Sequence, residues 1–501
     1  MSVKRASCAK SEFDEYHEFD EYETKGEGTM KRKLFIGGEW VEGREYSQLS
    51  APHSGEVIAE IPQADQADID RAISAAQEAH TTMRNTPAHQ RATLLASISN
   101  LIAERSEEAA RLIALEAGKP IRTARGEVAR TVQTYRFAAE EAKRIQGETL
   151  PLDAAPGGEG RVAYTVREPL GVVAAITPFN FPMNLVAHKV GPALAAGNTV
   201  VLKPASQTPL SAYLLAEIAQ EAGLPAGALN VVTGSGRVIG DALVTDPRIK
   251  AITFTGSPQV GIGIRNRAGL KRVTLELGSN SAVIVDRDVD LGEVVPRCVF
   301  GAFSYSGQVC ISVQRIYVAA AMFESFVDAF LTETRKLRGG DPLAEETDYA
   351  AMIHPGETER TVEWIREAEQ KGARILCGGS VEGRVLPPTV LTNVPADARI
   401  SCQEVFGPVV MINKVESVEE GIRHVNNSNY GLQAGVYTND VRTALDAAEQ
   451  LHVGGVMIND IPTFRVDHMP YGGVKESGFG REGIKYAIEE LTELKLVVFK
   501  R

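Results

Sequence analysis

The chain has 501 residues, 44% of them hydrophobic and 24% charged, and a formal net charge of −12. That length and balance suit a soluble globular protein of two or three domains, while the acidic excess disfavours nucleic-acid binding through a basic face. No apolar run approaches the ~18–20 residues of a membrane span, and the charged N-terminus lacks a signal-peptide core, so no membrane association is expected and the cytoplasm is the expected compartment. Cys8, Cys298, Cys310, Cys377 and Cys402 form no CxxC pair, which argues against a disulfide framework or a zinc site. No metal is expected.

Residues 1–29 carry the tandem FDEYHE/FDEYET and a dense set of acids. They are expected to form a disordered acidic tail, with Met30 as a possible true start and an acidic docking tail as the competing reading. From Asp68 to about Gln146 an alanine-rich, charge-interspersed pattern predicts several long helices, with Gly118-Lys119-Pro120 marking an end and a restart. Turns over 150–160 precede RVAYTVRE, a hairpin candidate. The runs 171–177, 198–204, 228–234, 250–256 and 272–277 read as buried parallel strands alternating with helices, a doubly wound pattern of the dinucleotide-binding type. A second α/β unit begins with SAVIVD at 281–286, and LKLVVFK near the end is an exposed strand candidate.

Three separated residues make one chemical set. Cys310, in FSYSGQVCISVQR, is a candidate nucleophile; Asn180, in TPFNFP, a candidate oxyanion donor; and Glu276, in TLELGS, a candidate base for activating water. Alone, Cys310 would read as a small buried residue. Cys298 and Cys402 are placed near the same region without a catalytic role. The chain has no GxGxxG, but FTGSPQVG offers Gly256, Ser257 and Gly261, KPASQTP offers Lys203 and Ser206, and EVFGPV offers Glu404 and Phe406.

With these motifs in this order, the chain from about Leu34 to the C-terminus resembles the NAD(P)-dependent aldehyde dehydrogenase superfamily, in particular its lactaldehyde and small-polar-aldehyde members. The resemblance implies an α/β fold with a Rossmann-type cofactor domain (30–148 and 169–278), an α/β catalytic domain (279–489) and a small β oligomerisation element (149–168 and 490–501). It implies a homodimer or homotetramer. It also implies a dinucleotide held by Lys203, Gly256, Ser257, Gly261, Glu404 and Phe406, and a proton-relay role for Lys189. Ser206 stands where many NAD-preferring members carry glutamate. Without that carboxylate a 2′-phosphate is not repelled, so NADP is expected to be accepted alongside NAD, with the charge argument leaning toward NADP. Ser279 replaces a usual glycine and is expected to reduce the freedom of that strand end.

In the loop 458–483, Arg465 and His468 are expected to line the aldehyde entrance, where an arginine suits an anionic or hydroxylated substrate such as lactaldehyde, glyceraldehyde, succinate semialdehyde, or a phosphono- or sulfo-aldehyde. The alternative for Arg465 is an ion pair with Asp467 or another acid. The expected activity is oxidation of such an aldehyde to its acid through a thiohemiacetal and a thioester. A CoA-acylating enzyme and a noncatalytic paralogue are the competing readings.

Overall fold

A computed structural model of the chain describes residues 30–501. The readings of residues 1–29 fall outside the described residues.

Four helices, Gln66–Asn85, Ala88–Glu104, Ser106–Ala117 and Ile121–Glu141, occupy the predicted helical region. The first begins at Asp65, which exchanges hydrogen bonds with Asp68 in a capping box. The third ends at Gly118 with φ 64°, a left-handed cap that glycine adopts without strain, and Pro120 then starts the fourth.

The last three of these helices pack on helices Asn184–Ala195 and Leu210–Glu221, and the first packs on an eight-stranded sheet. Its central strands lie in the order Arg272–Glu276, Ile249–Thr255, Val172–Ile176, Thr199–Lys203 and Leu229–Val231, all parallel. Val172–Ile176 and Thr199–Lys203 are buried at every position, as runs without polar alternation require. Strand order reverses between Val172–Ile176 and Ile249–Thr255, and the segments that leave their C-terminal ends are TPFNFP and FTGS. In a doubly wound sheet, that reversal opens a crevice for a ligand.

A seven-stranded sheet forms the second half, with only its edge strand Arg374–Cys377 antiparallel. The halves interlock. Gly478–Phe479 returns to pair with Leu275 and Glu276 at the edge of the first sheet, and helix Ile484–Glu490 packs on helix Asn184–Ala195. Residues 478–490 therefore pack against the first half.

The third sheet contains the hairpin expected at RVAYTVRE and extends it. Arg161–Pro169 does pair with the short strand Thr149–Leu150, but its long partner is the C-terminal strand Thr492–Lys500, in register over all nine residues. Among the described residues, no helix is long and apolar enough to cross a membrane.

Candidate active site

Helix Leu291–Phe303 runs into a tight turn in which Tyr305, Ser306 and Gly307 have φ of 50°, 53° and 68°. Two non-glycine residues in the left-handed region need outside support. The Tyr305 hydroxyl donates to the Ala117 carbonyl (2.7 Å) and the Ser306 hydroxyl to the Ala350 carbonyl (2.8 Å). At Gly307 any Cβ would collide with the Gly407 carbonyl. The turn sets Cys310 on the wall of two cavities at once, one of about 920 Å³ and one of about 580 Å³.

Asn180 is brought to this turn by a buried ion pair. Glu127 accepts from the backbone N–H groups of Met183 (2.9 Å) and Asn184 (3.1 Å), and it pairs with Lys119, whose ammonium also donates to the Asn180 carbonyl at 2.6 Å. The Lys119 charge lies 3.7 Å from the centre of the Phe181 ring. Asn180 Nδ2 donates one hydrogen to the Gln308 carbonyl at 3.0 Å, leaving its second for another acceptor. Lys119 was legible only as helix punctuation, and nothing in the sequence singled out Glu127.

Glu276 ends the strand Arg272–Glu276 and is buried, and neither carboxyl oxygen has a hydrogen-bond partner among the described residues. Burial, and then the nearby Glu482 charge, push its pKa well above the ordinary carboxylate range. Its side chain is on the wall of neither cavity. Lys189 is fully interior, donating to Glu482 at 2.8 Å and Thr253 at 3.2 Å, so it is no surface lysine. Burial works against the Glu482 charge, but Lys189 and Arg465 keep that carboxylate ionised. Glu482 lies in the FGREG run at the end of the loop 458–483 and was not singled out.

The larger cavity opens at the strand reversal. It is lined by Lys203, Ser206, Gly256, Ser257, Glu404 and Phe406, with Asn180 and Cys310 at its inner end. Ser257 caps helix Pro258–Arg267, and no side chain competes for the amides of its first turn. Gly240 and Gly263 also face this cavity, and a Cβ at either would meet no atom within 4 Å. Gly261 is a correction: it is absent from the wall, and any Cβ there would strike Leu277, so this glycine lets the helix approach the strand. Burial lowers the Lys203 pKa to about 8. Burial also raises Glu404 to about 7, against the hydrogen bond it accepts from the Ser279 N–H at 2.9 Å. Ser279 further bonds Ser281 at 3.0 Å, tying down the strand end where a glycine was usual.

The smaller cavity has four arginines on its wall, Arg122, Arg130, Arg297 and Arg465, against two acids, Glu127 and Asp348. Phe181, Phe300, Phe303 and Phe464 supply its apolar surface. Arg465 does pair with an acid, but that acid is Glu482 at 3.0 Å, while Asp467 is taken by Arg130 at 2.7 Å and His188 at 2.8 Å. The Arg465 guanidinium lies 3.6 Å from the centre of the Tyr471 ring, and its Nε has no hydrogen-bond partner among the described residues. His468 is another correction: it is exposed, packs on Phe137 with ring centres 4.8 Å apart, and is off the cavity wall. Cys298 is buried in the core of the second half and Cys402 is exposed, and neither lines a cavity. Arg130 came unannounced, because no local pattern distinguishes it from other helix-surface arginines.

Known proteins resemble this chain over nearly its whole length. A 3-sulfolactaldehyde dehydrogenase of Priestia aryabhattai is 49% identical over 466 residues, covering 93% of this chain and 97% of its own. Aldehyde dehydrogenase 21 of Physcomitrella patens, solved with the reaction product succinate, superposes with TM-score 0.93 at 41% identity over 94% of this chain and 99% of its own. An NADP-dependent glyceraldehyde-3-phosphate dehydrogenase of Bacillus halodurans, solved with NADP, gives TM-score 0.92 at 40% identity over the same shares. The profile of the aldehyde dehydrogenase family matches residues 40–497, and the chain belongs to that family of oxidoreductases acting on aldehydes.

Proposed function

We propose that the protein oxidises a small anionic aldehyde to its carboxylic acid with NADP or NAD, through a thioester on Cys310. The observation that carries this reading is the position of Cys310 on the walls of both cavities. A reacting carbon bound to that sulfur is within reach of both.

The larger cavity suits a dinucleotide. Its wall combines a helix N-terminus, two glycines open to the space and a buried lysine, a donor set made for phosphate and ribose oxygens. Lys203 and Ser206 would hold the adenosine ribose and its 2′ substituent, and Glu404 and Phe406 the nicotinamide end. Bound there, the cofactor supplies a hydride acceptor.

The chain's own groups do the remaining chemistry. The Cys310 thiolate adds to the aldehyde carbon, and the developing oxyanion accepts from the free Asn180 amide hydrogen and the Cys310 backbone N–H. Lys119 and Glu127 hold Asn180 in place. Loss of hydride leaves the thioester. Glu276 then takes a proton from the water that attacks it, and its pKa, raised by burial and the Glu482 charge, makes it a stronger base than an ordinary carboxylate. The carboxylate must turn out of its buried site to reach that water, and the network of Lys189 and Glu482 behind it gives the proton an acceptor path.

Each arginine of the smaller cavity is paired with an acid, Arg122 with Asp348, Arg130 with Asp467, Arg297 with Asp460 and Arg465 with Glu482; we assign the remaining N–H groups of Arg465 and Arg130 to an anionic group on the substrate. Relatives named for a sulfonated aldehyde and solved with a dicarboxylate fit that chemistry. A panel of sulfolactaldehyde, succinate semialdehyde, phosphonoacetaldehyde, glyceraldehyde and lactaldehyde, assayed with NAD and NADP and with or without CoA, tests the reading. Highest kcat/KM for an anionic aldehyde without CoA is the expected result. Strict dependence on CoA would replace hydrolysis by acyl transfer to a thiol.

The C-terminal strand is the proposed assembly surface. It is an edge strand, and Leu494, Leu496, Val498 and Phe499 on it are each about half exposed. An apolar open edge of this length is satisfied by a second copy of the chain.

A further inference from the structure

Tyr471 stands over the nucleophile. Its hydroxyl oxygen is 3.0 Å from Cys310 Sγ, its one hydrogen-bond partner among the described residues. The ring is buried, and its backbone is fixed by a pair of hydrogen bonds with Glu482, at 3.0 and 2.7 Å. Arg465 lies flat against the ring and is anchored in turn by the Glu482 carboxylate. One residue, Glu482, thus holds both the tyrosine and the arginine in place.

We propose that Tyr471 is a positioning residue which donates its phenolic hydrogen to the Cys310 thiolate and so fixes the sulfur at the junction of the two cavities. The inference rests on Cys310 being the nucleophile. Burial pushes the Cys310 thiol up to about 11, with Glu404 and Glu276 acting in the same direction, while the Tyr471 hydrogen bond and Arg465 oppose it. Burial, followed by the Cys310 charge, holds the Tyr471 phenol well above its ordinary value, so it remains a donor while the thiol ionises. A hydrogen bond to an ionised sulfur is stronger than one to the neutral thiol, so it selects the thiolate.

The test reads the sulfur directly. Iodoacetamide, which is neutral, forms a carbon–sulfur bond as the thiolate displaces iodide, and mass spectrometry of the Cys310 peptide gives the rate against pH without any aldehyde. In Tyr471→Phe the midpoint should rise by about one pH unit, a shift in the range a charge-assisted hydrogen bond produces. Wild-type protein grown with 3-fluorotyrosine, a more acidic donor, should move the midpoint down, and it carries the test if the phenylalanine variant does not fold. An unmoved midpoint in folded Tyr471→Phe or in the fluorinated protein would overturn the proposal. Loss of aldehyde oxidation across the panel with the midpoint shifts intact would sink the proposed reaction and leave this inference standing. Cys310 resisting alkylation throughout would sink both.

Discussion

The two cavities that meet at Cys310 are built differently. The larger is made from the ends of consecutive parallel strands and the turns that follow them, so Lys203, Gly256 and Ser257 each lie within a few residues of a strand predicted from sequence. The smaller is assembled from side chains far apart in the chain: Arg122 and Arg130 on one helix, Arg297 on another, Arg465 on a late loop. On the proposed function, backbone geometry would recognise one ligand and side-chain charge the other. The first kind of site tolerates changes in side chains that point away from it, and the second turns on single residues.

Cys310→Ala should separate the cavities most sharply. Aldehyde oxidation should fall by about 10⁴-fold or more, because the covalent route is gone, while NADP binding measured by calorimetry stays close to wild type. Near-normal turnover would remove the nucleophile. Glu276→Gln should retain the first burst of reduced cofactor and lose about 10²–10⁴-fold in steady turnover, since an amide cannot take a proton from water. The same variant should melt higher than wild type at pH 8. The folded pKa of Glu276 is raised, so ionisation opposes folding above the ordinary carboxylate pKa, and removing the acid relieves that penalty. Burst and steady rates falling together would give Glu276 an earlier role.

Arg465→Leu addresses the smaller cavity. The kcat/KM for an anionic aldehyde should drop by roughly 2–4 kcal/mol, as expected when a buried charge loses its partner, with a much smaller loss for a neutral aldehyde of similar size. Equal losses with a lowered melting temperature would instead show that stranding Glu482 damages the fold.

The two smallest effects belong to the larger cavity. Ser206→Glu should raise the KM for NADP about tenfold or more, by repulsion of the 2′-phosphate, with little change for NAD. An unchanged ratio would place residue 206 away from the ribose. Lys203, with its pKa lowered to about 8, is charged below that pH and neutral above it. NADP affinity should therefore weaken severalfold between pH 7 and 9 while NAD affinity changes less. Parallel decline of both cofactors would remove Lys203 from the phosphate.

Hydrophobic runs and turn residues announce what is made locally. The parallel strands and their order of appearance were readable because a strand buried on both faces needs an unbroken apolar run. Cys310, Asn180 and Glu276 stood out through motifs that resemble a known family, and the structure places Cys310 and Asn180 on one cavity wall while Glu276 lies off it. The same local reasoning misplaced Gly261 and His468. Whether a residue just inside a helix or loop faces a ligand or a neighbouring element depends on packing: Leu277 meets Gly261, and Phe137 takes His468.

By itself, then, the sequence determined the alternation of strands and helices and the turn chemistry, and it singled out candidate reacting groups, because these follow from residues adjacent in the chain. Only the tertiary structure decided which charges would meet. Glu482 joins Lys189, Arg465 and the Tyr471 backbone, and Lys119 reaches across to Glu127 and Asn180. Such partnerships join groups separated by 8 to 293 residues. Their strength comes from being taken out of water together, a condition that exists only after the two halves have packed.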